Sequence, residues 1–296
     1  MASQMKILSV ECVADLKCQL GEGPLWDPRV GKLIWLDIKG GKLFRFDPCS
    51  AHIESFQTSG MLSALGLAKD GGYVCTTRNG FHHLQIGETQ IELQKISDPE
   101  FDITGNRFND GKVDPWGGFW AGTMDDAEEE VSGNWWRLSP SGQTSKLASG
   151  FKVTNGPAFD EPKTRVFLTD SAAQTIFVAP LEGETIGPLN PFLKFNEADG
   201  FPDGLEVDQA GRLWVAFWDG GEIRCFSPTG QILLSVTIGV PRPTSLAFVG
   251  DEIYVTSARI GLNQEQLEKY PLSGGLFKVV LDQALSDQQT QKIFAG

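Results

Sequence analysis

Several features that define common protein classes are missing from this chain of 296 residues. It has no basic run and carries a formal net charge of −13, so contact with nucleic acid or an anionic membrane surface is not expected. No apolar stretch approaches the roughly 18 residues of a membrane-spanning helix, and MASQMKILSVECVADL lacks the apolar block of a signal peptide. We therefore expect a cytoplasmic protein without an obligate protein partner.

Cysteine and histidine are scarce as well. The five cysteines are scattered without any C-x-x-C spacing, which argues against a disulfide framework and a zinc ribbon. Of the three histidines, His82 and His83 are adjacent on a predicted strand, so their side chains alternate and cannot both face one ion. The motifs G-x-S-x-G and H-E-x-x-H and the phosphate-binding glycine loops are missing, which argues against a serine hydrolase, a His-ligated zinc protease and a nucleotide enzyme.

Glycine and proline, by contrast, are abundant, with 34 Gly and 16 Pro. They divide the chain into short runs rich in aromatic and β-branched residues, such as KLIWLDI, GRLWVAFW and EIYVTSA. One short helical turn is predicted at NQEQLEKY, near Asn263. We predict an all-β protein in which six tryptophans pack between sheets, namely Trp116, Trp120, Trp135, Trp136, Trp214 and Trp218.

An internal repeat specifies the kind of all-β fold. A turn, an apolar strand, an Asp, a Gly turn and a second strand recur six times, and successive copies start about 40 to 50 residues apart, the period of propeller blades. We predict a six-bladed β-propeller with a metal site in its central channel, forming one domain over residues 1–296. A propeller must join its last blade to its first, so KILSVECV should pair within the blade that contains GGLFKVVL. The copies start at Glu22, Leu65, Asn109, Asn155, Asp203 and Thr244.

An aspartate follows the start of five copies at a fixed distance, where the first strand should turn into the second. Aspartate is a common turn former, so these residues are predicted to have a structural role. They are Asp27, Asp70, Asp114, Asp160 and Asp208.

The first positions of the repeats carry the functional prediction. Residues in phase on successive inner strands converge at one end of the channel, and four of the six are Glu22, Asn109, Asn155 and Asp203. Each alone is typical of a turn, but together their buried carboxylates would repel one another without a cation. The oxygen donors favour Ca²⁺, Mg²⁺ or Mn²⁺ and leave Zn²⁺ and Fe²⁺ open.

The motifs LGEGPLWD, NRFNDGKVDPWGGFWAGTM, TNGPAFD, FPDGLEVDQAGRLWVAFWDGG and YPLSGGLFKV occur in this order over nearly the whole chain. In this respect the sequence resembles the gluconolactonase and regucalcin family, also called senescence marker protein. The resemblance implies a six-bladed propeller that uses one divalent ion to hydrolyse a sugar lactone to an aldonic acid.

The resemblance also implies roles for individual residues. The ion would be bound by Glu22, Asn155 and Asp203, and Asp203 would double as the catalytic base. Arg107 and Asn109 would contact the sugar lactone. Some relatives carry a Glu after the GTM motif that shapes substrate binding, and the candidates at that place here are Asp126 and Glu128.

Two alternatives to a sugar lactonase remain open from the sequence. One is a phosphotriesterase or related esterase on the same metal, and the other is a calcium-binding protein without enzymatic activity. The loops around the channel mouth would decide among gluconolactone, xylonolactone, arabinolactone and galactonolactone.

Overall fold

Each repeat of the sequence forms one antiparallel sheet, and the six sheets surround a central channel as the blades of a propeller. The structure is a computed structural model that describes residues 5–286 and 291–296. The innermost strand of every blade contacts the innermost strands of both neighbouring blades, so the six inner strands form a closed ring. The predicted six-bladed all-β propeller is therefore confirmed.

The strands follow one another regularly along the chain. The first is β1 (Ile7–Ala14). Blade 1 contains β2 (Gly21–Asp27), β3 (Lys32–Asp37), β4 (Lys42–Asp47) and β5 (His52–Gln57). Blade 2 contains β6 (Ala64–Ala68), β7 (Tyr73–Thr77), β8 (Gly80–Ile86) and β9 (Ile91–Ser97). Blade 3 contains β10 (Asn106–Val113), β11 (Phe119–Asp125), β12 (Gly133–Leu138) and β13 (Thr144–Phe151).

The second half repeats this arrangement. Blade 4 contains β14 (Thr154–Asp160), β15 (Arg165–Asp170), β16 (Thr175–Glu182), β17 (Thr185–Ile186) and β18 (Asn190–Lys194). Blade 5 contains β19 (Phe201–Val207), β20 (Leu213–Trp218), β21 (Glu222–Phe226) and β22 (Ile232–Thr237). Blade 6 contains β23 (Pro243–Val249), β24 (Glu252–Ser257) and β25 (Leu276–Leu281), with the predicted helical turn as α1 (Gln264–Lys269) before β25. The last strand is β26 (Ile293–Phe294).

The two ends of the chain are both fixed to the propeller. The N-terminal strand β1 pairs antiparallel with β25 and completes blade 6, with Val10 opposite Val279. The predicted closure of the ring is therefore confirmed. Near the other end, β26 pairs parallel with the inner strand β6, and Phe294 is buried beside blades 2 and 3. No helix in the described ranges is long and apolar enough to cross a membrane.

Large aromatic side chains fill the space between the blades. Trp120, Trp135 and Trp214 are completely buried, as predicted, because strand side chains that face a neighbouring sheet lose all contact with water. The same prediction is wrong for Trp116, which lies in a turn and is 40% exposed. Trp218, at the end of β20, is partly buried against a hydrophobic cluster and also lines a cavity at the channel mouth.

The repeated aspartates lie at the turns between first and second strands, as predicted, and four of the five accept hydrogen bonds from the backbone of the turn. The fifth, Asp160, pairs with Arg165 at 2.8 Å. Asp114 accepts hydrogen bonds from the backbone N–H groups of Trp116 and Gly118 and from the Trp120 indole. It also pairs with Arg137 at 2.6 Å. Buried carboxylates need such partners, because an unpaired buried charge is costly. These turns lie at the end of the channel that is opposite to the starts of the inner strands.

The inner strands are irregular where they begin. Five of the six carry a register shift near their first residues, as between Glu22 and Leu25 in β2 or Asn155 and Ala158 in β14. Such bulges re-aim side chains and are common beside functional sites. The inner strand of blade 2, which has Leu65 at the in-phase position, has no such shift.

Candidate active site

A cavity of about 440 Å³ occupies the channel end at which the inner strands begin. Its floor is formed by the starts of the inner strands, and its wall by the connections between second and third strands and between consecutive blades. The sequence-predicted residues that line it are Glu22, Arg107, Asn109, Glu128, Asn155 and Asp203. The structure therefore brings together all of the predicted site residues except Asp126. Asp126 does not line the cavity but forms an ion pair with Arg107, which does.

The three candidate metal ligands come from three blades. Glu22 lies near the start of β2, Asn155 near the start of β14 and Asp203 near the start of β19. Each is less than a tenth exposed, with values of 6%, 3% and 6% respectively. Two carboxylates and one amide oxygen at the floor of a cavity are therefore almost fully removed from bulk water.

A continuous chain of hydrogen bonds supports Asn155. Arg107 Nη1 donates to Asn109 Oδ1 at 2.6 Å, and Asn109 Nδ2 donates to Asn155 Oδ1 at 3.1 Å. Asn155 Nδ2 then donates to Ser171 Oγ at 2.9 Å, and Ser171 donates to the Pro202 carbonyl beside Asp203. Both polar atoms of the Asn155 amide are thus oriented by neighbours, which fixes its conformation in the cavity floor.

Burial dominates the electrostatics of the floor. It raises the pKa of Glu22 to about 8, with a further rise from the negative charge of Asp110. It also raises the pKa of Asp203 well above its usual range, with Glu22 as the next largest cause. A carboxylate in low dielectric next to another carboxylate binds a proton, or a cation in its place, more readily than in water. The floor is therefore a strong attractor of positive charge.

Asp110 is a third buried carboxyl group beneath this floor. It accepts hydrogen bonds from the backbone N–H groups of Gly111 at 2.7 Å and Gly156 at 2.8 Å, and so braces the residue that follows Asn155. Burial raises the pKa of Asp110 to about 6. On its other side it lines a second cavity of about 260 Å³, where Lys112 pairs with Glu206 at 2.6 Å.

The floor fits a hard divalent ion by the chemistry of its donors. Hard ions prefer carboxylate and amide oxygens, and a divalent charge would offset the repulsion between Glu22 and Asp203. In the part of the chain that the structure describes, no three His, Cys, Asp or Glu side chains gather as a metal cluster. The candidate set differs from such a cluster because its third oxygen belongs to the amide of Asn155.

Asp126 is the centre of an ion-pair network at the cavity rim. Its carboxylate accepts from Lys39 Nζ at 2.7 Å, from Arg107 Nε at 2.7 Å and from Arg78. Burial alone would raise the pKa of Asp126, but the hydrogen bond from Lys39 and the charges of the attached cations hold that pKa below its usual value. Asp126 thus connects loops of blades 1, 2 and 3 and fixes the orientation of the Arg107 guanidinium.

Arg107 retains one free nitrogen after these contacts. Its side chain is 4% exposed, and Nε and Nη1 are both hydrogen-bonded within the protein. Nη2 makes no hydrogen bond to the described residues, so its N–H groups are free to donate into the cavity. Glu128, on the loop after β11, lines the same cavity.

Sequence reasoning missed several residues of this site. Ser171, Trp218 and Lys39 lie on connections between strands or at strand ends, where the repeat gives no phase. Asp110 was overlooked although it directly follows the in-phase Asn109, because an Asp before Gly is typical of a turn. The signal that could have found Asp110 is its position beside an in-phase residue on an inner strand.

Comparison with known proteins identifies the family of the chain. A family model described as the SMP-30/Gluconolactonase/LRE-like region matches residues 20–259. The chain is 33% identical to regucalcin from Gallus gallus over 286 residues, which cover 93% of this chain and 95% of that protein. It is 32% identical to 6-deoxy-6-sulfogluconolactonase from Pseudomonas putida over 278 residues, with coverages of 91% and 94%.

A solved structure of luciferin-regenerating enzyme superposes with a TM-score of 0.88 at 26% identity, and the superposition covers 94% of this chain and 97% of that one. The resemblance that the motifs indicated is thus confirmed at the level of the family. The protein belongs to the SMP-30/gluconolactonase/LRE-like family.

Proposed function

We propose that this protein hydrolyses a sugar lactone to the corresponding aldonic acid with one divalent ion held by Glu22, Asn155 and Asp203. The observation that carries the proposal is the pair of buried carboxylates and the oriented amide at the floor of an accessible cavity. A relative named 6-deoxy-6-sulfogluconolactonase supports lactone hydrolysis as the reaction class. The ion would be Ca²⁺, Mg²⁺, Mn²⁺, Zn²⁺ or Fe²⁺, and the proposed location is the cytoplasm.

When bound, the ion would supply Lewis-acid polarisation of the lactone carbonyl. The side chain of Asp203 acts as the base in this scheme and takes a proton from the water that attacks the carbonyl carbon. The bond between that carbon and the ring oxygen then breaks, and the ring oxygen receives the proton from Asp203. The products balance as one aldonic acid from one lactone and one water.

Substrate orientation is assigned to the side chains above the floor. Arg107 Nη2 would donate to a hydroxyl or ring oxygen of the lactone, because it is the guanidinium nitrogen that makes no hydrogen bond to the described residues. Asn109 lies between Arg107 and Asn155, so it couples substrate contact to the position of a metal ligand. Asp126 would act through Arg107, and Glu128 would face the substrate from the rim.

The experiment is turnover by protein stripped of metal and then reloaded separately with each of the five ions. We expect no hydrolysis of D-glucono-, D-xylono-, L-arabinono- or D-galactonolactone without an ion, and hydrolysis of at least one after reloading. An organophosphate ester, assayed side by side, tests the phosphotriesterase alternative. Tight calcium binding without turnover of any substrate would instead favour a calcium-binding protein.

A further inference from the structure

The mouth of the cavity contains more cations than carboxylates. Three cations, Lys39, Arg78 and Arg107, share the single carboxylate of Asp126. One carboxylate balances one of these charges, and the three cations repel one another at this distance. The network is therefore stable only because Asp126 lies in its centre, and it keeps a net positive charge beside the cavity, which Lys39 and Arg107 line.

Lys152 adds a further positive charge on the opposite side of blade 3. It lies in the two-residue connection between β13 and β14, and it lines the cavity. The backbone N–H groups of Lys152 and Val153 both donate to the Asp170 carboxylate, at 2.9 and 3.2 Å, which holds this connection in place. Within residues 5–286 and 291–296 the Lys152 ammonium has no ion pair.

The fifth cation of the wall region, Arg242, is neutralised by an ion pair. Arg242 lines the cavity, stacks over the Trp218 ring at 4.6 Å and pairs with Asp219 at 2.6 Å. We count the charged side chains that line the cavity above its floor, together with the residues of their ion-pair networks. This count gives five cations and three carboxylates. The cations are Lys39, Arg78, Arg107, Lys152 and Arg242, and the carboxylates are Asp126, Glu128 and Asp219.

This surplus occurs on a protein whose formal net charge is −13. An acidic protein that concentrates cations around one concave surface attracts anionic ligands to that surface and repels them elsewhere. A neutral polyol needs hydrogen-bond donors and acceptors but no excess of cations. The cations of the wall therefore favour a ligand that carries negative charge.

We propose that the substrate is an anionic sugar lactone, with a phosphate, sulfate or similar oxyanion on the carbon most distant from the lactone carbonyl, and that Lys152 binds this anion. The proposal rests on the proposed function, because the lactone carbonyl has to lie at the metal floor. The anion then extends along the cavity wall, where the basic side chains are. It names a substrate class and a specificity-determining residue for the reaction.

The test compares two lactones with the same ring, D-glucono-1,5-lactone and its 6-phosphate, in the metal-loaded protein. The parent should have a kcat/KM for the phosphorylated lactone at least about tenfold higher, since a hydrogen bond to a charged group is worth on the order of tenfold. Lys152→Gln should remove most of this preference. Lys69→Gln, an exposed lysine in the β6–β7 turn at the opposite end of the channel, is the matched control and should keep it.

A third lactone, the 6-sulfate ester, distinguishes a dianionic from a monoanionic group. Equal kcat/KM for the neutral and phosphorylated lactones in the parent would overturn the proposal while leaving lactone hydrolysis intact. A preference that survives Lys152→Gln would overturn the assignment of Lys152. If no lactone is hydrolysed with any ion, the proposed function fails, and calorimetric binding of 6-phospho-D-gluconate against D-gluconate still decides whether the cavity selects the anion.

Discussion

Removing the Arg107 side chain should separate substrate recognition from metal binding. Arg107→Ala deletes the free Nη2 and leaves Glu22, Asn155 and Asp203 in place. It also removes one of three cations from Asp126, but Lys39 and Arg78 remain paired with that carboxylate. The substitution therefore leaves no unpaired charge at the rim, and we expect only a small decrease in melting temperature.

The magnitude follows from the hydrogen bonds that Arg107 can offer. Two of its three nitrogens are already hydrogen-bonded within the protein, and among the described contacts Nη2 is the one left for the substrate. Hydrogen bonds from a charged donor contribute roughly 1.5–3 kcal/mol, which corresponds to a loss in kcat/KM on the order of ten- to a hundredfold. Metal affinity should fall by much less, because Arg107 reaches Asn155 only through Asn109.

The assay measures kcat/KM of the parent, Arg107→Ala and Arg78→Ala on a sugar lactone and on an unsubstituted lactone of the same ring size. Arg78→Ala is the control, since it removes another cation from Asp126 without removing Nη2. We expect the large loss only for Arg107→Ala on the sugar lactone. Equal losses on both lactones, together with a lower melting temperature, would show that Arg107 braces the loops and does not contact the polyol.

Two further predictions concern pH and ring closure. Burial raises the folded-state pKa of Glu22 from 4.5 to about 8, so the metal-free folded protein binds more protons than the unfolded chain between these values. Its melting temperature should fall as pH rises through that range. Stabilisation by added divalent ion should increase over the same range, because fewer protons compete for the Glu22 carboxylate. A stabilisation that is independent of pH would contradict this electrostatic account. Deletion of residues 1–14 removes β1 and exposes the edge of β25, so the melting temperature should fall sharply, and an unchanged melt would refute the closing role of β1.

The sequence contained enough information to predict the ring of inner strands and the polar residues at one end of the channel. Because the repeat has a constant phase, Glu22, Asn109, Asn155 and Asp203 could be grouped at that end from their positions in the repeat alone. The pairing of β1 with β25 followed from the need of a propeller to close. Both inferences rest on periodicity, which depends on backbone geometry more than on side-chain contacts.

The cavity wall could not be predicted in the same way. Asp126, Lys39 and Arg78 come from loops of three different blades, and their network depends on loop conformations that have no repeat. Lys152 lies between β13 and β14, outside the repeated strands, so the repeat does not predict that it lines the cavity. The parallel pairing of β26 with β6 was also missed, since a two-residue strand carries no periodic pattern.

The central claim is that Glu22, Asn155 and Asp203 hold one divalent ion. The most direct test is a chelator competition that measures the metal affinity of the parent and of Glu22→Gln, Asn155→Ala and Asp203→Asn, with Glu128→Gln as the control from the same cavity. We predict a loss of at least about ten- to a hundredfold for each of the three, the range found even for groups that only support a ligand, and almost no change for Glu128→Gln. Three variants that bind the ion as tightly as the parent would contradict the site.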